Sequence, residues 1–328
     1  MSAIVIDEIS KQFDEMTALD EVSLTIDHGE LFGLLGPNGA GKSTLIHILS
    51  TLIPPTAGVA IVAGHDIRTD RGGVRSSIGV VFQEPALDEE LTARENLAFH
   101  GVMYGMSRAA RDDRIAEVFE LVELNERADD LVKTYSGGMK RRLEIARGLV
   151  HHPEVLFLDE PTLGLDAQTR RHIWDYILRL NDETGVSVIL TTHYMDEADV
   201  LCDRIGIIDR GSLIELGTPA DLKDQLGGDV VTVTVAGDTE RFGQLLSTYD
   251  WLVNIEETRG QYRLTVEDGS EHVPVLFRDT LDQPCEITSV SMREPSLEDV
   301  FLDLTGHGIR EEDAESRMAR MVRARRGR

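Results

Sequence analysis

The sequence predicts an α/β chain: a mostly parallel sheet with helices on both faces, followed by a small α+β domain. Two observations carry that expectation. Up to about residue 227, short apolar strand patterns alternate with helical ones. Beyond the Gly227–Gly228 pair the order becomes strand, helix, two strands, helix, strand, which suggests a split βαβ unit.

The elements follow in order. Two strand patterns come first, "AIVIDEI" and "VSLTI". "ELFGLL" then runs into "GPNGAGKST" and the helical "TLIHILSTL", which Pro54–Pro55 end. "IGVVF" is a further strand. From Leu91 to about Leu124 the period is helical, with a break near Gly105. "GGMKRRLEIARGLV" reads as a helix opening on glycines. The strand "VLFLD", the helix "AQTRRHIWDYILRLNDE", the strand "VSVILTT", a short helix and the strands "RIGIID" and "SLIEL" complete the first part. The second part holds "VVTVTVA", a helix near 238–248, "WLVNIEE", "YRLTVED", a helix near 271–280, "CEITSVSM" and the helical "SLEDVFLDLT". The expected domains are therefore 1–227 and 228–306, with a charged tail at 307–328.

Composition narrows the class. The 328 residues are 41% apolar, enough for a real core, and no run of about 18 apolar residues is present to span a bilayer. The start, "MSAIVIDEIS", lacks a basic segment ahead of an apolar stretch, which argues against a signal peptide. Cys202 and Cys285 form no metal or disulfide pattern. A cytoplasmic protein is the simple expectation. Acidic residues number 59 against 33 basic ones, a net charge of −26. Such a surface suits a saline cytoplasm, where salt screens the self-repulsion, and it points to a halophile. The other reading of the charge is a basic partner. Either way no nucleic acid is expected, because phosphates would be repelled.

"GPNGAGKST" satisfies the phosphate-binding pattern called Walker A, between a strand and a helix. Its residues Gly36, Pro37, Asn38, Gly39, Ala40, Gly41, Lys42, Ser43 and Thr44 form the expected ATP cradle. The glycines let backbone N–H groups turn inward, and the helix beginning at Lys42 aims its positive end at the same anion. Lys42 reaches the β- and γ-phosphates, and the Ser43 hydroxyl ligates Mg²⁺.

"EVLFLDEP" raises a cost that this cradle explains. Val155–Leu158 read as a strand buried on both faces, yet the run ends in two carboxylates, Asp159 and Glu160. Beside a Walker A loop, Asp159 faces Mg²⁺ and Glu160 is free to act as general base toward the attacking water. A capping acid at a strand end is the bland alternative. "YSGGMKRRLEIAR" puts Ser136, Gly137 and Gly138 at a helix start, a second anion-binding feature. One nucleotide does not need two cradles, so the second suits a nucleotide held by another copy; taken alone it is a helix cap. His193 and Gln83 both end strands. His193 is placed to bond a γ-phosphate, and Gln83 to contact Mg²⁺ or water; a structural histidine is the competing reading.

Together these motifs resemble the ATP-binding subunit of an ABC transporter, over about residues 3–227. The set comprises Walker A (36–44), the Q-loop Gln83, the signature "SGGMK" (136–140), Walker B (155–160), the D-loop "LGLD" (163–166) and the switch His193, in the family's order. The resemblance implies a P-loop NTPase fold with an antiparallel β subdomain and a helical subdomain near 88–150. It also implies a head-to-tail homodimer holding two ATP between the Walker A loop of one subunit and the signature of the other. On that basis Ser136, Gly137 and Gly138 act in trans and Asp166 crosses the interface. Phe13 matches the aromatic that stacks on adenine; a core phenylalanine is its alternative. Tyr135 stands where the commonest signature has leucine.

"EPSLEDVFLDLTG" (294–306) resembles the accessory domain of the daunorubicin-resistance branch, the ATPases of ABC-2 exporters. Read from the residues alone, it is a helix capped by Ser296 and Asp299, with Leu297, Val300, Phe301 and Leu304 on one face. The arginine-rich end, "RMARMVRARRGR", reads as a solvated tail or as a contact for anionic lipid.

The expected function is an ATP-hydrolysing subunit on the cytoplasmic face of the membrane that drives a separate ABC-2 type permease. Its contact surface should lie near Gln83 and residues 91–106. A soluble ABC ATPase acting on chromosomes or ribosomes is the alternative, disfavoured by the charge and by the lack of coiled-coil insertions. An importer ATPase is a third reading, which "PSLEDVF" argues against.

Overall fold

The computed structural model describes residues 2–258, 260–281 and 283–306, so the expected tail at 307–328 lies outside the described residues. The chain divides into two compact units, the first reaching Thr218 and the second beginning at Pro219.

The first unit begins with β1 (Ser2–Phe13), β2 (Met16–Asp27), β3 (Leu31–Leu35), α1 (Lys42–Leu49), β4 (Ala57–Val62), β5 (His65–Asp66), α2 (Arg71–Ser77) and β6 (Ile78–Val81). Three helices follow, α3 (Ala93–Met103), α4 (Arg108–Leu121) and α5 (Gly137–Leu149). The unit closes with β7 (Val155–Asp159), α6 (Ala167–Thr184), β8 (Ser187–Thr192), α7 (Met195–Leu201), β9 (Arg204–Asp209) and β10 (Ser212–Gly217).

Two sheets result. One is antiparallel, in the order β2-β1-β4-β5; the other runs β10-β9-β3-β8-β7-β6 and is parallel except for the β9–β10 pair. Every residue of β3, β7 and β8 is buried. That is why their sequences run apolar without alternation, as strands covered on both faces do. One core joins Ile4, Leu24 and Ile26 of the antiparallel sheet to Leu45, Ile46 and Leu49 of α1 and Phe32, Phe157 and Ile189 of the parallel sheet. The parallel arrangement brings the C-terminal ends of β3, β8, β7 and β6 to one edge, where α/β sheets bind ligands.

Four elements differ from expectation. β4, β5, α2 and α8 (Pro219–Asp224) had no clear signal. In β4 the apolar Val59 and Ile61 are 46% and 43% exposed, so the apolar pattern does not mark the buried face. α1 ends at Leu49, ahead of Pro54–Pro55, and Thr51 then takes a left-handed φ of +62°. The break near Gly105 lies between α3 and α4, with Gly105 at φ +71°.

The second unit adds β11 (Asp229–Gly237), α9 (Thr239–Leu246), β12 (Leu252–Thr258), β13 (Gln261–Val266), α10 (Gly269–Thr280), β14 (Cys285–Arg293) and α11 (Leu297–Thr305). Its sheet order, β12-β13-β11-β14, is antiparallel throughout. That is a split βαβ arrangement with a core of Val231, Val233, Phe242, Leu264 and Leu276. The boundary falls before α8, not at Gly227–Gly228 as the sequence suggested. Leu222 of α8 is buried and α8 packs on α11, so the glycine pair, at φ +77° and +153°, is a turn inside this unit.

α11 opens with a capping box: Ser296 Oγ accepts from the Asp299 N–H while Asp299 accepts from the Ser296 N–H. Leu297, Val300 and Phe301 are buried, and Leu304 is half-buried. Asp299 does more than cap. It is 3% exposed and accepts from Arg263 of β13 and from both terminal nitrogens of Arg293 of β14. Burial alone would push its carboxyl up, but the bonds from Arg293 and Ser296 and the Arg263 charge outweigh it and leave it lowered.

Removing Asp299 strands two arginines beside a buried site. Asp299→Ala should destabilise the second unit by about 1.5–3 kcal/mol, read by urea unfolding, since the arginines left behind keep access to water. Because the folded carboxyl titrates below its unfolded value, its contribution is full above about pH 4 and fades as pH falls through the lowered value. Equal stability of the variant and the parent at neutral pH would refute this.

Candidate active site

β3 runs straight into the loop 36–41, and α1 starts at Lys42. Its N-cap, Gly41, stands at φ +109° and supplies no side-chain cap. A Cβ there would sit 2.6 Å from the Ala18 carbonyl oxygen, so only glycine fits on both counts. The start of α1 is thus left for an anion, whereas α3, α5 and α6 are capped by Thr92, Ser136 and Asp166. Lys42 is 5% exposed; its Nζ donates to the carbonyls of Gly36 at 2.6 Å and Pro37 at 3.0 Å. The same nitrogen lies 3.7 Å from Glu160 Oε1.

The two carboxylates at the end of β7 have separate partners. Asp159 Oδ1 accepts from Ser43 Oγ at 3.0 Å and from Thr191 Oγ1 at 2.5 Å. Glu160 leaves the strand at φ +48°, a left-handed conformation that costs a non-glycine residue of order 1 kcal/mol. Its N–H donates to the Thr191 carbonyl and hydroxyl, both at 3.1 Å. Its Oε1 lies 3.1 Å from His193 Nδ1. Burial pushes the Glu160 carboxyl up, but the His193 hydrogen bond and the Lys42 charge more than offset it, so it titrates below its ordinary value. At neutral pH it is a carboxylate, able to accept a proton.

Lys42, Ser43, Asp159, Glu160 and His193, expected from sequence to work together, are thus joined by direct contacts from three different elements. The remaining candidates sit elsewhere. Gln83 is exposed in the loop two residues past β6. Phe13 is not a core residue: it ends β1 at 41% exposure, opposite Met16, with Lys11 Nζ 4.8 Å from its ring centroid. Ser136 caps α5 through the Met139 N–H. Gly138 packs so closely on α6 that a Cβ would meet Thr169 Cγ2 at 2.6 Å. Asp166 caps α6, accepting from the N–H groups of Gln168 and Thr169 and from the Thr169 hydroxyl. Ser136 and Gly138 line a groove of about 500 Å³ together with Arg142, Thr169, His172 and Tyr176.

Three residues were not anticipated. Thr191 bonds both Asp159 and Glu160; a hydroxyl inside the buried strand "VILTT" was the available signal. Glu197 of α7 is fully buried and accepts from Thr162 Oγ1 at 2.8 Å and Trp174 Nε1 at 2.9 Å. It ties the loop after Glu160 to α6. Arg141 of α5 is 8% exposed, and only its i, i+3 spacing to Glu144 hinted at a partner.

The donor set suits a nucleotide with its metal. Ser43 Oγ and Asp159 Oδ1 are neighbouring hard oxygens of the kind Mg²⁺ takes, beside a buried ammonium and an uncapped helix start. Known proteins agree with the nucleotide. The ABC transporter family matches residues 19–163, and the C-terminal domain of DrrA1-3-like ATP-binding proteins matches residues 217–305. The linearmycin resistance ATP-binding protein LnrL of Bacillus subtilis is 42% identical over 93% of this chain and 99% of its own. The daunorubicin resistance ATP-binding protein DrrA3 of Streptomyces coeruleorubidus is 41% identical, over 95% and 99%. The chain belongs to the ABC transporter ATP-binding proteins of the daunorubicin-resistance type. The Nod factor export ATP-binding protein I of Sinorhizobium fredii is a relative at 38% identity, over 94% of this chain and 88% of its own. Among solved structures, the dimeric cassette MJ0796 in a post-hydrolysis state with ADP and phosphate aligns at TM-score 0.59 and 30% identity. That alignment covers 66% of this chain and 98% of MJ0796. As an ABC ATPase the cassette binds and hydrolyses ATP.

Proposed function

We propose that this cassette is the ATP-hydrolysing subunit of an ABC-2 type export system, working as a homodimer on the cytoplasmic face of a membrane beneath a separate permease. The observation that carries the chemistry is the convergence of Lys42, Ser43, Asp159, Glu160 and His193 on one sheet edge. In this reading the 36–44 loop wraps the phosphates and Lys42 holds the β- and γ-phosphates. Ser43, Asp159 and Gln83 are the residues that would hold Mg²⁺, which supplies charge neutralisation on the phosphate oxygens. Glu160 takes the proton of the attacking water, and His193, already on Glu160, orients it toward the γ-phosphate. The exposed Phe13 ring stacks on adenine.

Ser136, Gly137, Gly138 and Asp166 serve the nucleotide of the second copy. The start of α5 and the loop before α6 support this, since both lie close together through Gly138 and Thr169. The dimeric state of MJ0796 supports it as well. Export follows from the relatives, which are named for drug resistance and Nod factor export. No helix among the described residues is long and apolar enough to cross a membrane, which supports a separate chain as the path.

The permease dock is a groove of about 530 Å³ lined by Leu52, Phe82, Leu91, Phe99, Met103 and Tyr104. Phe99 and Met103 are 64% and 68% exposed, an apolar patch of the kind that marks an interface. The groove reaches Phe82, next to Gln83. The acidic surplus, a net −26, supports adaptation to a saline cytoplasm.

Four outcomes follow. Glu160→Gln should keep ATP affinity within about 3-fold and accumulate as an ATP-bound dimer in gel filtration, while turnover falls at least about 100-fold; Lys42→Ala should lose affinity itself. Normal turnover in Glu160→Gln would remove Glu160 from its role. Met103→Glu should abolish co-purification of a membrane permease without changing ATPase activity of the isolated cassette; undiminished co-purification refutes the dock. The midpoint of thermal unfolding should climb between about 0.1 and 2 M KCl as self-repulsion is screened. A flat salt response would argue against the halophilic reading.

A further inference from the structure

Arg141 occupies an unusual position for a charged residue. It sits in the second turn of α5, five residues after Ser136, and is 8% exposed. Its Nε donates to the Pro161 carbonyl at 2.8 Å, and Nη2 donates to the Asp159 carbonyl at 3.0 Å. Those two carbonyls flank Glu160. Its Nη1 donates to the Phe82 carbonyl at 2.8 Å, one residue before Gln83, and to Glu144 Oε2 at 3.0 Å. One planar guanidinium therefore grips the backbone on both sides of Glu160 and the backbone leading to Gln83.

Its neighbours extend the same grip. Glu144 Oε1 accepts from the Ala86 N–H at 3.0 Å, and Arg147 Nη1 donates to the Ala86 carbonyl at 2.6 Å. The loop 82–86 is thus held to α5 at both ends. Glu160 meanwhile keeps a left-handed φ of +48°, which persists only where the surroundings enforce it. On the far side Thr191 holds its N–H; on the near side Arg141 holds the carbonyls before and after it.

We propose that Arg141 is a positioning residue for ATP hydrolysis, fixing the backbone around Glu160 and locking the 82–86 loop and α5 to it as one body. The inference rests on the reading of Glu160 as general base. Arg141 touches no nucleotide; it sets where the Glu160 carboxylate points. The three contacts use three separate nitrogens of one planar fork, and lysine, with a single nitrogen, cannot span them together. A shift of about 1 Å at a base costs on the order of 100-fold in rate.

The test is steady-state ATPase kinetics with ATP affinity from calorimetry, on the full chain. Arg141→Lys should lower kcat at least about 10-fold with KM and ATP affinity within about 3-fold. Arg141→Met with Glu144→Leu removes both charges but leaves the Asp159, Pro161 and Phe82 carbonyls and the Ala86 N–H without their side-chain partners, so its thermal midpoint should lie below the parent's. Assayed well below that midpoint, its kcat should be at least about 10-fold down. A merely structural role predicts a parent-like kcat wherever the variant is folded. Parent-like kcat in Arg141→Lys, or a loss confined to ATP affinity, overturns the proposal; where the double variant does not fold, Arg141→Lys decides alone. If Glu160→Gln is dead while both Arg141 variants turn over normally, this inference fails and the base stands. If Glu160→Gln turns over normally, the base reading fails whatever Arg141 does.

Discussion

The arrangement turns on the cost of ending a fully buried strand in two adjacent carboxylates. Asp159 and Glu160 are 2% and 7% exposed, so each needs its own compensation. Asp159 receives hydroxyls from α1 and β8; Glu160 receives the Lys42 ammonium and the His193 ring. None of these partners is near in sequence to the acids. They arrive because β3, β7 and β8 are parallel neighbours, so whatever follows each strand emerges at the same edge. The same topology that makes the acids expensive to bury supplies the groups that make burial tolerable.

The second unit solves a like problem with different chemistry. Asp299 is as buried as Asp159, but its partners are guanidinium groups from two strands together with its own helix cap. Arginine is always charged and binds carboxylates in a fork, which suits a permanent staple. Lys42 is a compact point charge on a flexible stem, 3.7 Å from Glu160, and can turn toward a phosphate. The partner type thus differs between the two sites: a fixed guanidinium fork at Asp299 and a movable ammonium at Glu160.

What was legible in the sequence was local. "GPNGAGKST" could be read because a turn that demands glycine, a helix start and a cation must all fall within nine residues. The capping box at Ser296 and Asp299 was legible for the same reason. Long-range partners were not. Nothing in the sequence pairs Thr191 with Asp159 or Arg141 with the Pro161 carbonyl, because sheet register and helix docking decide both. "KRRLEIAR" looks like a solvated face, yet Arg141 is buried while Arg142 and Lys140 are half-exposed. The Gly227–Gly228 pair misled because positive φ marks a turn, and a turn need not separate domains. Phe13 went unresolved because a phenylalanine ending a strand reads the same whether it closes a core or faces outward.

α5 shows how one helix can serve several neighbours without conflict. At its start Ser136 caps it beside the groove shared with α6. One turn on, Arg141 reaches the Asp159 and Pro161 carbonyls on either side of Glu160, and Glu144 and Arg147 then hold the N–H and the carbonyl of Ala86. Arg147 also lines the apolar groove that carries Phe99 and Met103. Successive turns of a helix rise about 5.4 Å, so these contacts span its whole length along one rigid rod. The buried Arg141–Glu144 pair adds a constraint of its own. Its charges are tolerable only while the carbonyls and the Ala86 N–H remain in place, so slippage of α5 against either loop would expose uncompensated charge. α5 thereby connects the groove lined by Arg147 to the 82–86 loop and to the carbonyls that flank Glu160.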